Sequence, residues 1–247
     1  MNILLTNDDG FGSAGISALS EAFAAHTVWV VAPDGERSGM SHSITLHKPV
    51  RFVKHGERMF SCSGNPADCV MYSLQGGIPV RPDVVISGIN HGANLGTDLI
   101  YSGTAAASRQ AVLMGVPGIA VSKVLSDESP DDYSMTAQFL ADRLEQLLSL
   151  WRDSHFININ MPGKFENDVE IAVTKPSRRG YNDVVESFSA PDGSTYHFLR
   201  GKGAYAEDEE GSDWSAVSSG KVSVSPIHLH PQADSDFIKY AEVIGSW

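Results

Sequence analysis

Three short stretches carry side chains that could do chemistry together. Asn7-Asp8-Asp9-Gly10 closes an apolar run at the N-terminus, and Asp34 leads into Arg37-Ser38-Gly39-Met40-Ser41-His42-Ser43. Gly88-Ile89-Asn90-His91-Gly92-Ala93-Asn94 closes a third run. Two carboxylates held within about 4 Å repel by roughly a few kcal/mol at an effective dielectric near 20, and a cation between them reverses the sign. Carboxylate, amide and hydroxyl oxygens form the hard donor set that suits Mg²⁺ or Mn²⁺. A bare Asp-Asp pair is equally explained by one residue capping a helix while the other faces solvent. The two further polar stretches tip the reading toward a metal.

A rival reading starts from the same place. Gly10-Phe11-Gly12-Ser13-Ala14-Gly15 matches the dinucleotide-binding glycine pattern, with Asp34 near the position of a ribose-binding acid. That would make the chain a nicotinamide-dependent dehydrogenase. Asp8 and Asp9 oppose it, because they would stand beside a pyrophosphate whose site should be electropositive. The rival also leaves Asn90 and Asn94 without a role.

These residues must be positioned by something, and the pattern around them supplies it. Asn2 to Thr6, Thr27 to Val31, Asp83 to Ser87, Gly118 to Ser122 and His155 to Asn160 read as buried strands. Ile16 to Ala25, a segment opening at Pro66, Thr104 to Met114 and Asp131 to Leu150 read as helices, with Asp131-Asp132 as a helix start. Val50 to Val53 and Met59 to Ser63 pair as a hairpin around His55-Gly56. The alternation predicts an α/β fold: a Rossmann-like, three-layer core with a wound parallel sheet. In such sheets ligands sit beyond the carboxyl ends of the strands, where all three polar stretches fall. The core is expected over 1–160. A β-rich arm and C-terminal return follow over 161–247, in one functional domain. Within that second part, Val184 to Phe188 and Thr195 to Leu199 flank the turn Pro191-Asp192-Gly193. Ala206 to Asp213 reads as a solvated acidic loop, Val222 to Ile227 as a strand and Ser235 to Ile244 as a helix.

Composition narrows the function. The 247 residues carry 18 Lys and Arg against 30 Asp and Glu, a formal net charge of −12. Such a chain is poorly suited to polymeric nucleic acid or to an anionic membrane. The apolar stretch Gln110 to Ser122 contains Pro117 and is too short to span a bilayer. The N-terminus lacks a basic region ahead of its apolar run, so no signal peptide is expected. Cys62 and Cys69 suit two buried thiols in a reducing cytoplasm, the expected location. His228 and His230 share a strand face, yet two histidines without a third ligand are more often packing residues. Arg178-Arg179 reads either as a phosphate contact across a subunit boundary or as part of a solvated arm.

Taken together, the motifs resemble the SurE family of survival-protein nucleotidases. The resemblance rests on Asn7-Asp8-Asp9-Gly10, on Val31-Ala32-Pro33-Asp34 with Arg37-Ser38-Gly39, and on Gly64-Asn65-Pro66-Ala67-Asp68-Cys69-Val70. It is strongest over Ser87 to Gly96 and Tyr101-Ser102-Gly103-Thr104, and it returns at Ser212-Asp213-Trp214 and Val222-Ser223-Val224. It implies a divalent-metal phosphomonoesterase acting on nucleoside 5′- or 3′-monophosphates, with activity extending to short polyphosphate. The metal ligands carry over to Asp8, Asp9, Ser38 and Asn90, holding one Mg²⁺ or Mn²⁺ per subunit, with Asp8 and Asp9 also the catalytic candidates. Asn94, Ser102, Gly103 and Thr104 would donate to the phosphate, with helix capping the lesser reading for Ser102 and Thr104. The resemblance also implies a homodimer or homotetramer that exchanges a C-terminal segment. Gln110, where members often carry Glu, and Lys221, where the residue is often aromatic, depart from the pattern. A phosphoaspartate mechanism and a non-hydrolytic nucleotide-binding scaffold are the other classes weighed.

Overall fold

The computed structural model describes the chain apart from residues 126–131, 167, 202, 208, 232–236, 246 and 247. In chain order the elements begin with β1 (Asn2–Thr6), α1 (Ala14–Ala22), β2 (Thr27–Pro33), β3 (Phe52–Gly56), β4 (Met59–Cys62), α2 (Pro66–Tyr72) and β5 (Val84–His91). They continue with α3 (Gly103–Leu113), β6 (Gly118–Lys123), α4 (Ser134–Ser149), β7 (His155–Met161), β8 (Ile171–Val173), β9 (Arg179–Tyr181) and β10 (Val184–Ser189). The last are β11 (Thr195–Arg200), β12 (Ala204–Ala206), α5 (Asp213–Ser218), β13 (Val222–His228) and α6 (Phe237–Ile244).

Among the described residues a nine-stranded sheet runs in the order β3-β4-β2-β1-β5-β6-β7-β13-β8. The six strands from β4 to β7 are mutually parallel, and β3 and β13 are antiparallel to their inner neighbours. The near-continuous apolar runs of the central strands follow from burial on both faces. Alternate side chains serve opposite layers. Ile3, Leu5, Val30, Val84 and Ile86 pack under α1 and α4, against Ile16, Leu19, Phe23, Leu140 and Leu144. Leu4, Val31 and Val85 pack on the other face with Cys69, Val70, Ala107 and Ala111 of α2 and α3. This is the expected three-layer α/β architecture.

Local signals set the helix starts. Ser13 accepts the Ile16 amide at the head of α1, and Ser102 accepts the Ala105 amide at the head of α3. Pro66 stands in the first turn of α2, and Asp68 closes a capping box with Asn65. The helix expected from Asp131 begins instead at Ser134, where the Asp132 carboxylate receives the Ser134 amide at 3.0 Å. Asp131 itself lies outside the described residues, as do Ser235 and Asp236 of the expected last helix. No helix among the described residues is long and apolar enough to cross a membrane.

The segment after residue 160 does not stand apart. β13 inserts beside β7 with Val224 opposite Ile159, so the sheet is completed by the C-terminal return. The remainder forms small antiparallel pairs, β9 with β12 and β10 with β11. The β10–β11 hairpin turns at Pro191-Asp192-Gly193, where Asp192 accepts the Ser194 amide. It leaves Val185, Phe188, Tyr196, Phe198 and Leu199 exposed.

The acidic stretch ending at Asp213 departs from the expectation of a solvated loop. Asp213 is buried and accepts the amides of Gly96, Ser177 and Trp214 at 2.7, 2.9 and 2.8 Å. Charge-assisted bonds from three amides offset the desolvation that would otherwise push this carboxylate to the surface.

Candidate active site

Chain direction across the sheet reverses between β1 and β5, the switch point where wound sheets bind ligands. Asp8 and Asp9 leave β1 there, and Asn90 lies at the end of β5. A bulge re-aims that end: Ser87 pairs with Ala120 but Asn90 pairs with Ser122, so β5 carries one extra residue. The β1 turn is fixed by Asn7, whose amide donates to Gly10 O and Ser13 Oγ while its carbonyl accepts the Gly10 amide.

Asp8 is buried, 4% exposed. Thr104 Oγ1 donates to its Oδ1 at 2.5 Å, and the head of α3 at Gly103 lies against it. The carboxylate thus sits at the N-terminus of α3, where the helix dipole favours negative charge. Burial pushes its pKa up, with the Thr104 hydroxyl the strongest opposing influence. Gly103 leaves the room: a Cβ there would lie 2.9 Å from Asp8 Cβ. Asp9 is pushed up to about 6, by burial first and by the Asp8 charge second. Its Oδ2 accepts the His91 amide at 3.2 Å.

The Ser38 loop is drawn to this place by backbone bonds. The Arg37 amide donates to Asp8 O at 2.7 Å, and the Ser41 amide to Tyr101 O at 2.9 Å. Ser38 Oγ donates to Glu36 Oε1 at 3.0 Å, and the Asn90 amide donates to Gly92 O at 2.8 Å. Asp8, Ser38, Asn90, Asn94 and Ser102 all line one cleft of about 560 Å³. Asp9 stands on its flank, lining a smaller adjoining cleft with Glu36, and His91 lines both.

Two groups named as phosphate donors are engaged elsewhere. The Thr104 hydroxyl bonds Asp8. Asn94 is held by a buried amide network: its backbone amide donates to Asn160 Oδ1, its side chain donates to Ser122 Oγ, and its carbonyl accepts from Asn158 and Asn160. Ser102 caps α3 through its oxygen, which leaves its hydroxyl hydrogen available toward the cleft. Sequence reasoning missed Asn158 and Asn160. Two asparagines on one face of the otherwise apolar Phe156–Met161 strand were the signal available.

The glycine pattern at Gly10–Gly15 has a packing role. A Cβ on Gly15 would lie 2.1 Å from Ile89 O, so this glycine lets α1 press onto β5. The small cleft beside it carries Asp9 and Glu36, the wrong charge for a pyrophosphate.

The arm supplies the far wall of the main cleft through Tyr181, Asp183 and Leu199. Asp98 accepts from both the Arg179 guanidinium and the Tyr181 hydroxyl. Burial, then the bond to Asp98, raises the Tyr181 pKa. Arg179 therefore ends on a carboxylate of its own chain, with its guanidinium over the Trp214 ring at 4.9 Å, while Arg178 is exposed. Nothing in the local sequence pattern marks Asp98 as their partner. His228 lies opposite His155 in the β13–β7 ladder. Cys62 and Cys69 are both free and buried.

Among the described residues no three or more His, Cys, Asp or Glu are grouped so that they alone could hold a metal ion. What the switch point offers a metal is two carboxylates with a hydroxyl and an amide oxygen, all hard donors. Burial raises the pKa of both aspartates, and a divalent ion held by this donor set would favour their charged forms.

Comparison with known proteins agrees with this geometry. A family profile described as survival protein SurE matches residues 3–183. A protein of Geotalea daltonii named 5′-nucleotidase SurE is 42% identical over 234 residues, 93% of each chain. One of the same name from Desulfitobacterium hafniense is 43% identical over 249 residues, 98% of this chain and 96% of the other. The crystal structure of a SurE protein from Aquifex aeolicus superposes with a TM-score of 0.82 at 32% identity, covering 99% of this chain and 100% of that one. With the profile matched over residues 3–183 and relatives more than 40% identical over at least 93% of either chain, the chain belongs to the SurE family.

Proposed function

We propose that the protein is a divalent-metal-dependent phosphomonoesterase that hydrolyses nucleoside monophosphates to nucleoside and phosphate. The observation that carries the reading is the pair Asp8 and Asp9 at the β1–β5 switch point, with Asp8 sharing a cleft with Ser38 and Asn90. The relatives named 5′-nucleotidase support the substrate class and favour the 5′-ester.

Asp8, Asp9, Ser38 and Asn90 would hold one Mg²⁺ or Mn²⁺. When bound, such an ion supplies charge neutralisation for the phosphoryl oxygens and a lower pKa for an attacking water. The chain's own groups do the rest. The Thr104 hydroxyl holds the Asp8 carboxylate at the head of α3, so its oxygens need little reorganisation as charge develops. Ser102 donates its hydroxyl toward the phosphate from the cleft wall. The Asn158–Asn160 network holds the loop bearing Asn94 against the same wall. Asp9, flanking the cleft, is the proton-accepting candidate.

The exposed apolar side chains of β10 and β11 support an oligomeric assembly through residues 161–247, as a homodimer or homotetramer. The experiment for the main proposal is phosphate release from nucleoside 5′- and 3′-monophosphates, with short polyphosphate as a second substrate. Asp8→Asn should lose at least about a thousandfold in kcat while retaining its circular dichroism spectrum. Wild-type turnover by that variant would overturn the assignment.

A further inference from the structure

The 560 Å³ cleft is much larger than a phosphate group needs and falls within the range that takes a whole drug-sized ligand. Its inner end is built by Asp8, Ser38 and Asn90. Its outer wall is different in chemistry: beside Asp183, Tyr181, Leu199 and Tyr101 line it, these three each at least 40% exposed.

Tyr181 is held there by more bonds than a surface tyrosine ordinarily has. Its hydroxyl donates to Asp98 Oδ1. Its neighbour Arg179 is bound at both ends, since its guanidinium meets Asp98 and its backbone exchanges bonds with Thr97 Oγ1 in both directions. Tyr181 itself pairs with Ala204 in the β9–β12 ladder. The turn carrying Thr97 and Asp98 is pinned in turn by the buried Asp213, through the Gly96 amide. The hydroxyl is thereby used up, while the ring remains part of the cleft surface. A rigid aromatic ring offered to a cleft is a platform for a planar π system, and such stacking tolerates different bases because each has a π face.

We propose that Tyr181 is a specificity-determining residue that stacks on the base of the nucleotide, with Asp98 as the residue that positions its ring. The inference rests on the nucleotidase reading and adds the nucleoside half of the site to it. Removing the ring leaves Asp98 paired with Arg179, so the arm retains its principal anchor.

The test compares a nucleoside 5′-monophosphate with ribose 5-phosphate, which has the same ester but no base. For Tyr181→Ala, KM for the nucleotide should rise about fivefold or more, the size of a lost base–aromatic stack. KM for ribose 5-phosphate and kcat for both should stay within about twofold. Tyr181→Phe, which keeps the ring, should hold the nucleotide KM within about threefold of wild type. Tyr181→Trp provides a direct readout, with its fluorescence quenched on adding nucleotide but not ribose 5-phosphate. Equal changes for both substrates, no change for either, or no base-dependent quenching would overturn the stacking role while leaving the hydrolase reading intact. Failure of the wild-type protein to release phosphate from either substrate would overturn both.

Discussion

Replacing Thr104 with valine removes one hydroxyl and almost no volume. The hydroxyl donates to Asp8 Oδ1 at 2.5 Å, between a residue with no exposure and one 4% exposed, so water cannot take its place. A hydrogen bond to a charged group contributes about 1.5–3 kcal/mol, and the cost of leaving a buried carboxylate short of a donor is of the same order. Thr104→Val should therefore lower the unfolding free energy at pH 7 by about 2 kcal/mol, or roughly 4–8 °C in Tm for a chain of this size. The sign with pH is fixed as well. The Thr104 bond is the strongest influence lowering the Asp8 pKa, so its loss raises that pKa further. The deficit should then shrink as the pH falls and Asp8 is protonated in both variants. The hydroxyl also orients Asp8 as a metal ligand, and loss of such a partner weakens metal affinity, so half-saturation of activity by Mn²⁺ should move up by about tenfold or more. Urea unfolding in EDTA and a Mn²⁺ titration of phosphate release measure the two effects, and Thr104→Ser should restore both. A valine variant with wild-type stability and wild-type Mn²⁺ response would refute the claim that this hydroxyl holds Asp8.

Two further outcomes follow from the same cluster. Gly103→Ala would bring a Cβ to 2.9 Å from Asp8 Cβ and 3.0 Å from Pro66 Cγ, so overpacking should cost about 1–3 kcal/mol and activity should fall at least about tenfold. Gly12→Ala, with nothing within 4 Å of its added methyl, is the control and should do neither. Asp9, pushed up from 3.8 to about 6, should make the metal-free protein lose stability as pH climbs through that window. Solvent screening at a partly exposed carboxylate limits the loss to about 1–2 kcal/mol. Thermal melts of the EDTA-treated protein across pH 4–7 should show it, and Asp9→Asn should flatten that part of the curve.

The wound core was legible because its signals are local. The run from Asn2 to Thr6 is apolar without alternation, and Ser13, Pro66 and Ser102 mark helix starts within a turn of themselves. The three stretches that hold Asp8, Asp9, Ser38 and Asn90 stood out because polar groups at the ends of buried strands need a reason, and the choice of those four came from the family resemblance. What the sequence did not reveal is set by distant pairings. Thr104 meets a carboxylate 96 positions away. Asp213 sits beside Glu209 and Glu210, so composition marks it as solvated, yet its amide donors come from 36 and 117 positions away. Arg179 and Tyr181 lie in a segment of short strands whose partner, Asp98, carries no pattern of its own. Asn158 and Asn160 look like interruptions of a strand until the Asn94 loop is seen hanging from them.

The most direct measurement is inorganic phosphate released from a nucleoside 5′-monophosphate by the purified protein, with Mn²⁺ or Mg²⁺ and again with EDTA. Release with the ion, its loss together with nucleotide binding in EDTA, and recovery on adding the ion back are the expected results. Equal release in EDTA, or nucleotide binding with no release under any ion, would contradict an account built on two adjacent aspartates at the switch point of the sheet.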